Sequence, residues 1–189
     1  MRLICAGLLA VLIVGPPAPA VELPGTTTLR DNPIANAVVW LDAPGAPATP
    51  ARQNVVLDQR NLTFFPRVLV VRMGTTVEFP NNDRVFHDVF SFRDGKKFEL
   101  GLYPVGMVKH VPFDRPGLSR IFCNIHPAMA AYILAVDTPY FAVSNRQGRF
   151  TIMEIPAGAY TYHAWRPGGE TLTGSTAVQA GTSLDLKWP

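Results

Sequence analysis

Cys123-Asn124-Ile125-His126-Pro127-Ala128-Met129 is the stretch on which the reading of this chain turns. A thiol, an imidazole and a thioether follow one another at intervals of three residues. Soft and borderline donors of this kind hold copper. A helix would also bring positions 123, 126 and 129 to one side. Pro127 argues against a helix, because its ring clashes with the preceding turn. Cys-x-x-His alone is common by chance. Structural zinc asks for four ligands, often with a Cys-x-x-Cys knuckle; the chain has only two cysteines, Cys5 and Cys123, and no knuckle. A blue-copper set uses one Cys, two His and a weak Met, so the loop lacks one His. His87 can supply it, from Pro80-Asn81-Asn82-Asp83-Arg84-Val85-Phe86-His87-Asp88-Val89.

The loop resembles that of the cupredoxins, small copper proteins of the plastocyanin and amicyanin type. Its short Cys-x-x-His-Pro-x-Met form is most similar to the amicyanin kind. The upstream Asn81-Asn82 pair, then His87, then a polar residue, is also similar to the family. The resemblance covers residues 54–137. It implies a Greek-key β-sandwich with one type 1 copper ion held by His87, Cys123, His126 and an axial Met129. Electrons then pass through the exposed edge of His126, beside the small apolar Pro127 and Ala128, to a redox protein such as a cytochrome or a dehydrogenase. Arg84, Arg93, Lys96, Lys97, Lys109, Arg115 and Arg120 are candidates for a basic rim; Asp88, Asp94, Glu99 and Asp114 interleave with them and favour scattered surface charge. Asp88 stands where the family usually has Asn, and Asn124 where a hydroxyl or acid is usual. An exchange of roles in one loop-to-loop hydrogen bond is expected. Asn82 resembles the family Asn before the first His, with turn-making as its other reading. Phe65-Pro66-Arg67-Val68 with Gly74-Thr75-Thr76-Val77 is similar to the family's opening hairpin.

Met1 to Ala20 reads as a secretory signal: Arg2, an apolar core from Leu3 to Val14, and a small-residue cleavage site at Ala18-Pro19-Ala20. The apolar run is too short for a span of roughly 20 residues, and no second one follows. Cys5 sits too close to the start of the chain to be a lipid-attachment cysteine, which follows the apolar region. A periplasmic or secreted protein is expected, with Cys123 as its one thiol. An unoccupied thiol in an oxidising compartment invites pairing or oxidation, and a bound metal would occupy it. The formal charge of +3 falls by one with Arg2. So small a charge gives no argument for nucleic acid or an acidic membrane.

The chain of 189 residues suits one large domain or two small ones. Charged residues make up 16%, against 18 Pro and 15 Gly, and no run has helical period. The expected fold class is all-β: the cupredoxin sandwich plus a second small sandwich. Strands are expected at 36–41, 68–72, 76–79, 85–92, 97–102, 108–113, 119–122 and 131–136. Four more are expected at 140–144, 149–154, 160–165 and 184–188. Ala43 to Ala51, with three prolines, reads as a linker. Gly148-Arg149-Phe150-Thr151-Ile152 followed by Ile155-Pro156-Ala157-Gly158-Ala159-Tyr160 resembles the carboxypeptidase regulatory-like domain, a transthyretin-like sandwich. That family usually begins with a strand like Ala37-Val38-Val39-Trp40-Leu41. The expectation is therefore that 22–45 and 138–189 form one sandwich with the cupredoxin inserted, a tandem pair being the alternative.

An exported electron carrier is the leading reading, and no enzyme activity is expected. A copper-delivery protein is disfavoured, because Met73, Met107 and Met153 are scattered. A multicopper oxidase needs His-x-His pairs, which the chain lacks. An adhesion or scaffold protein with a structural copper site is the further alternative. His110 lies on a strand without the family's ligand motif, and His163 reads as a structural strand position.

Overall fold

The computed structural model describes residues 20–43, 55–92 and 94–189, and these contain strands and no helix. The signal segment up to residue 19, most of the proline-rich linker and Arg93 lie outside the described residues. Three strands come first: β1 (Ala20–Leu29), β2 (Asn32–Pro33) and β3 (Val38–Leu41). The middle of the chain gives β4 (Val55–Val56), β5 (Asp58–Arg60), β6 (Thr63–Phe65), β7 (Val68–Arg72) and β8 (Thr75–Pro80). It continues with β9 (His87–Ser91), β10 (Phe98–Tyr103), β11 (Val108–Phe113), β12 (Gly117–Cys123) and β13 (Ala130–Val136). Last come β14 (Phe141–Val143), β15 (Arg149–Pro156), β16 (Gly158–Trp165), β17 (Leu172–Val178) and β18 (Leu184–Trp188).

Two sandwiches result. In the first, the sheet β10-β9-β12-β13-β7 faces β11-β8-β4 across a core that includes Phe79, Val89, Phe113, Ile121 and Ile133. In the second, β15-β1-β18 faces β14-β3-β16-β17 across Leu23, Val39, Leu41, Ile152 and Trp188. The N-terminal strands thus pair with C-terminal ones: β1 with β15 and β18, β3 with β14 and β16.

The alternation of side chains along a strand explains two unbroken apolar runs. On β13, Ala131, Ile133 and Ala135 enter the first core, while Leu134 and Val136 point the other way. On β3, Val39 and Leu41 enter the second core, while Val38 and Trp40 point out of it. The outward sets meet, with Val68 and Trp165, in a third apolar cluster that joins the sandwiches. Tyr132 and Trp165 touch edge to face there, with centroids 5.2 Å apart. Strands buried on both faces need no polar alternation, so they read as continuous hydrophobic runs. Each large side chain so buried stabilises by roughly 1.5–3 kcal/mol.

Besides the short strands β2, β4, β5 and β6, which were not expected, three features differ from the sequence expectation. The ten-residue β1 was not expected, since Pro24 and Gly25 punctuate it. Gly25 is required there: a Cβ would lie 2.1 Å from the Leu184 carbonyl oxygen and 2.4 Å from the Phe150 ring. Strand β17, with alternating small polar residues, was also not expected. The third is a correction. β7 and β8 flank the Gly74 turn but do not form a hairpin. β7 pairs in parallel with β13, and β8 with β11 and β4, so the chain crosses between sheets at this turn.

Candidate metal centre

Strand pairing builds the centre. β9 and β12 are antiparallel neighbours with Cys123 opposite Val89. His87 lies two residues before Val89, hence on the same face. His87 and Cys123 therefore both point into the first core. The loop after Cys123 turns back at once. The Met129 amide donates to the His126 carbonyl at 2.9 Å, and the Asn124 amide to the Asp88 carbonyl at 2.8 Å. That turn brings His126 over the two buried donors and returns Met129 to the core. His87, Cys123 and Met129 are 0%, 4% and 1% exposed, whereas His126 is half-buried.

The three strong donors converge. Cys123 Sγ lies 3.6 Å from His87 Nδ1 and 3.5 Å from His126 Nδ1, and the two Nδ1 atoms are 3.2 Å apart. An atom equidistant from all three would sit about 2 Å from each, a metal–imidazole distance. Lone pairs at such spacing repel unless a proton or a cation lies among them. Among the described residues, this is the group of His, Cys, Asp and Glu side chains drawn together in the way metal ligands are. One thiolate and two imidazoles are compatible with copper. Met129 packs in the same core cluster as Cys123.

The surroundings orient these groups. His87 Nε2 faces Asp83 Oδ2 at 3.3 Å. Burial pushes the His87 pKa down; the Asp83 carboxylate opposes this, and the His126 charge adds to the depression. For Asp83, burial acts upward, but hydrogen bonds from the Leu62 and Arg84 amides, together with His87, hold its carboxyl below the usual range. Asn81 is fully buried. Its Nδ2 donates to the Val85 and Tyr103 carbonyls at 2.8 and 3.2 Å, and its Oδ1 accepts the Asp83 amide at 3.1 Å. The Tyr103 hydroxyl donates to the Phe79 carbonyl and meets Gln59 Nε2; burial raises its pKa. Asn124 Nδ2 donates to Asp88 Oδ2 at 3.2 Å, the loop-to-loop bond expected of that pair.

Asn82 is exposed and bonds Asp58, so the buried Asn of this loop is Asn81. Asp83 and Gln59 were missed by the sequence reading. The available signal for Asp83 was an Asn-x-Asp turn four residues before a histidine. His110 sits on β11 in the other sheet, 3.8 Å from Glu78. His163 stacks on Trp40 and bonds Thr173 and Asp42 on the second sandwich. Two of the basic residues are paired, Lys96 with Asp114 at 2.9 Å and Arg120 with Asp94 at 3.9 Å. The segments next to His87 and His126 expose Val85, Phe86 and Ile125, and the turn after β10, bonded to the Asn81 backbone, exposes Val105 and Met107.

No family model and no curated protein matches this chain. Solved structures do. A Cu-containing nitrite reductase from Thermus scotoductus SA-01 is similar at 28% identity and TM-score 0.44, over 52% of this chain and 25% of that one. The chain thus spans about a quarter of the reductase's length. A purple cupredoxin from Nitrosopumilus maritimus is similar at 22% identity and TM-score 0.40, over 45% of this chain and 100% of that one. Amicyanin from Paracoccus versutus is similar at 18% identity and TM-score 0.40, over 52% of this chain and 97% of that one.

Proposed function

We propose that this protein is an exported electron carrier with one type 1 copper ion, which His87, Cys123 and His126 would hold with the Met129 thioether as a weak fourth donor. The observation that carries this reading is the triangle of His87 Nδ1, Cys123 Sγ and His126 Nδ1, with edges of 3.2–3.6 Å. Bound there, copper supplies a one-electron Cu(II)/Cu(I) couple. A set of three strong donors and one weak one serves both oxidation states with little rearrangement. Strand-borne His87 and Cys123 keep their positions because the core around them is packed, which limits reorganisation when the charge changes. His126, half-buried among exposed apolar loops, is the edge a partner reaches. Val85, Phe86 and Ile125 exclude water where that partner, a redox protein of the cytochrome or dehydrogenase kind, docks. The second sandwich is proposed to be of the carboxypeptidase regulatory-like type and to have no catalytic part. Export to the periplasm or the medium follows from the signal-like first twenty residues.

Voltammetry of the copper-loaded protein tests the carrier role. The expected result is one reversible wave of one electron per chain. Irreversible reduction with loss of copper would overturn the carrier reading in favour of a delivery site.

A further inference from the structure

We propose that Asp83 is the positioning residue of this centre: its carboxylate accepts a hydrogen bond from the Nε2–H of His87, keeps Nδ1 bare toward Cys123 and His126, and favours the oxidised ion over the reduced one. The first two parts stand on geometry alone. The third rests on the copper reading above.

His87 is completely buried, so no bulk water reaches its ring. Its Nε2 is 3.3 Å from Asp83 Oδ2. A bare Nε2 lone pair facing a carboxylate oxygen at that distance would be repelled, so the nitrogen that faces Asp83 carries the hydrogen. The other nitrogen, Nδ1, is then unprotonated, and it is the one directed at Cys123 Sγ and His126 Nδ1. A ligating histidine is commonly fixed in this way by a carboxylate on its far side.

The carboxylate is itself held. Oδ2 also accepts the Leu62 amide at 2.6 Å, and Oδ1 accepts the Arg84 amide at 2.9 Å. The Asp83 amide is tied to Asn81 Oδ1, and Asn81 is anchored to two carbonyls. Leu62 lies in the turn between β5 and β6, so Asp83 links that turn to the start of β9. A group fixed from three sides transmits position to the ring it touches.

Charge follows from the same arrangement. One thiolate and one carboxylate near the ion carry two negative charges. They balance a dication and leave a monocation one charge in excess, so the carboxylate stabilises Cu(II) more than Cu(I).

The test uses the full chain. Asp83→Asn keeps a carbonyl acceptor for His87 but loses the charge; Asp83→Ala loses both. Asp83→Asn should weaken Cu(II) binding about tenfold, the lower end of what loss of such a partner does to metal affinity, with Cu(I) binding little changed. That tenfold difference is a rise in potential of about 59 mV. Asp83→Ala should weaken binding further. Nitrogen-15 NMR of the metal-free wild type should show His87 as the Nε2–H tautomer. An unchanged potential and Cu(II) affinity in folded Asp83→Asn would overturn the charge role, and an Nδ1–H tautomer would overturn the positioning role. A wild type that binds no copper would refute the copper reading and with it the charge role. The tautomer would still decide the positioning role, even if neither variant folds.

Discussion

Leu134→Ala should loosen both sandwiches at once. Leu134 belongs to neither sandwich core. It lies on the outer face of β13, 6% exposed, in the cluster with Val38, Val68, Val136 and Trp165. Truncation removes its transfer energy and leaves a cavity between two sheets that the pairings of β13 and β3 hold in place. Buried Leu→Ala changes span about 2.7–5 kcal/mol. The slight exposure of Leu134 places this one toward the low end, about 3 kcal/mol. For a chain of this size each kcal/mol lowers Tm by roughly 2–4 °C, so a drop of about 6–12 °C is expected. Thermal unfolding of the metal-free protein, followed by far-ultraviolet circular dichroism and by tryptophan fluorescence, gives the assay. Trp40, Trp165 and Trp188 report on the joint and the second sandwich. Both signals should shift together. A loss below about 1 kcal/mol, or a fluorescence transition that moves while the dichroism one stays, would refute a packed joint.

Three other outcomes are expected. Burial raises the Tyr103 pKa, so its contribution is complete below the ordinary tyrosine value of about 10 and is lost as pH rises above it. Tyr103→Phe should therefore flatten the fall of Tm between pH 9 and 11, while costing about 1 kcal/mol at neutral pH; an unchanged alkaline slope would show that Tyr103 is not the group responsible. Gly25→Ala should break the pairing of β1 with β18, because its Cβ meets the Leu184 carbonyl. Hydrogen exchange should rise in residues 184–188 before it rises in β9 or β12, and equal exchange across both sandwiches would contradict this. Asn81→Leu should strand the Val85 and Tyr103 carbonyls at about 1–3 kcal/mol each, read by urea unfolding; a change under 1 kcal/mol would mean the buried amide is dispensable.

The parts of this structure that were legible in the sequence are those coded by neighbours. Cys123, His126 and Met129 share one loop, so their approach needs only a turn. The β-branched and aromatic runs at 68–72 and 108–113, and the strict apolar–polar alternation of 184–188, declare themselves as strands. What was not legible depends on distant partners. The Gly74 turn looks locally like a hairpin, yet β7 finds its partner in β13, some sixty residues later. β1 carries Pro24 and Gly25, which read as breaks until Phe150 and Leu184 are seen to fill the space over the glycine. Asp83 could not be told from Asn82 or Asp88 as the neighbour of His87, because the Asn81 side chain shapes the loop that decides it. Leu134 and Ile133 look alike in sequence, although they enter different clusters.

If Cys123 and two histidines hold copper, the visible absorption spectrum of the oxidised, copper-loaded protein shows it. Thiolate-to-Cu(II) charge transfer should give an intense visible band, one copper per chain, and the band should vanish in Cys123→Ser. A colourless Cu(II) form of the intact protein, with an ordinary tetragonal EPR spectrum, would contradict it.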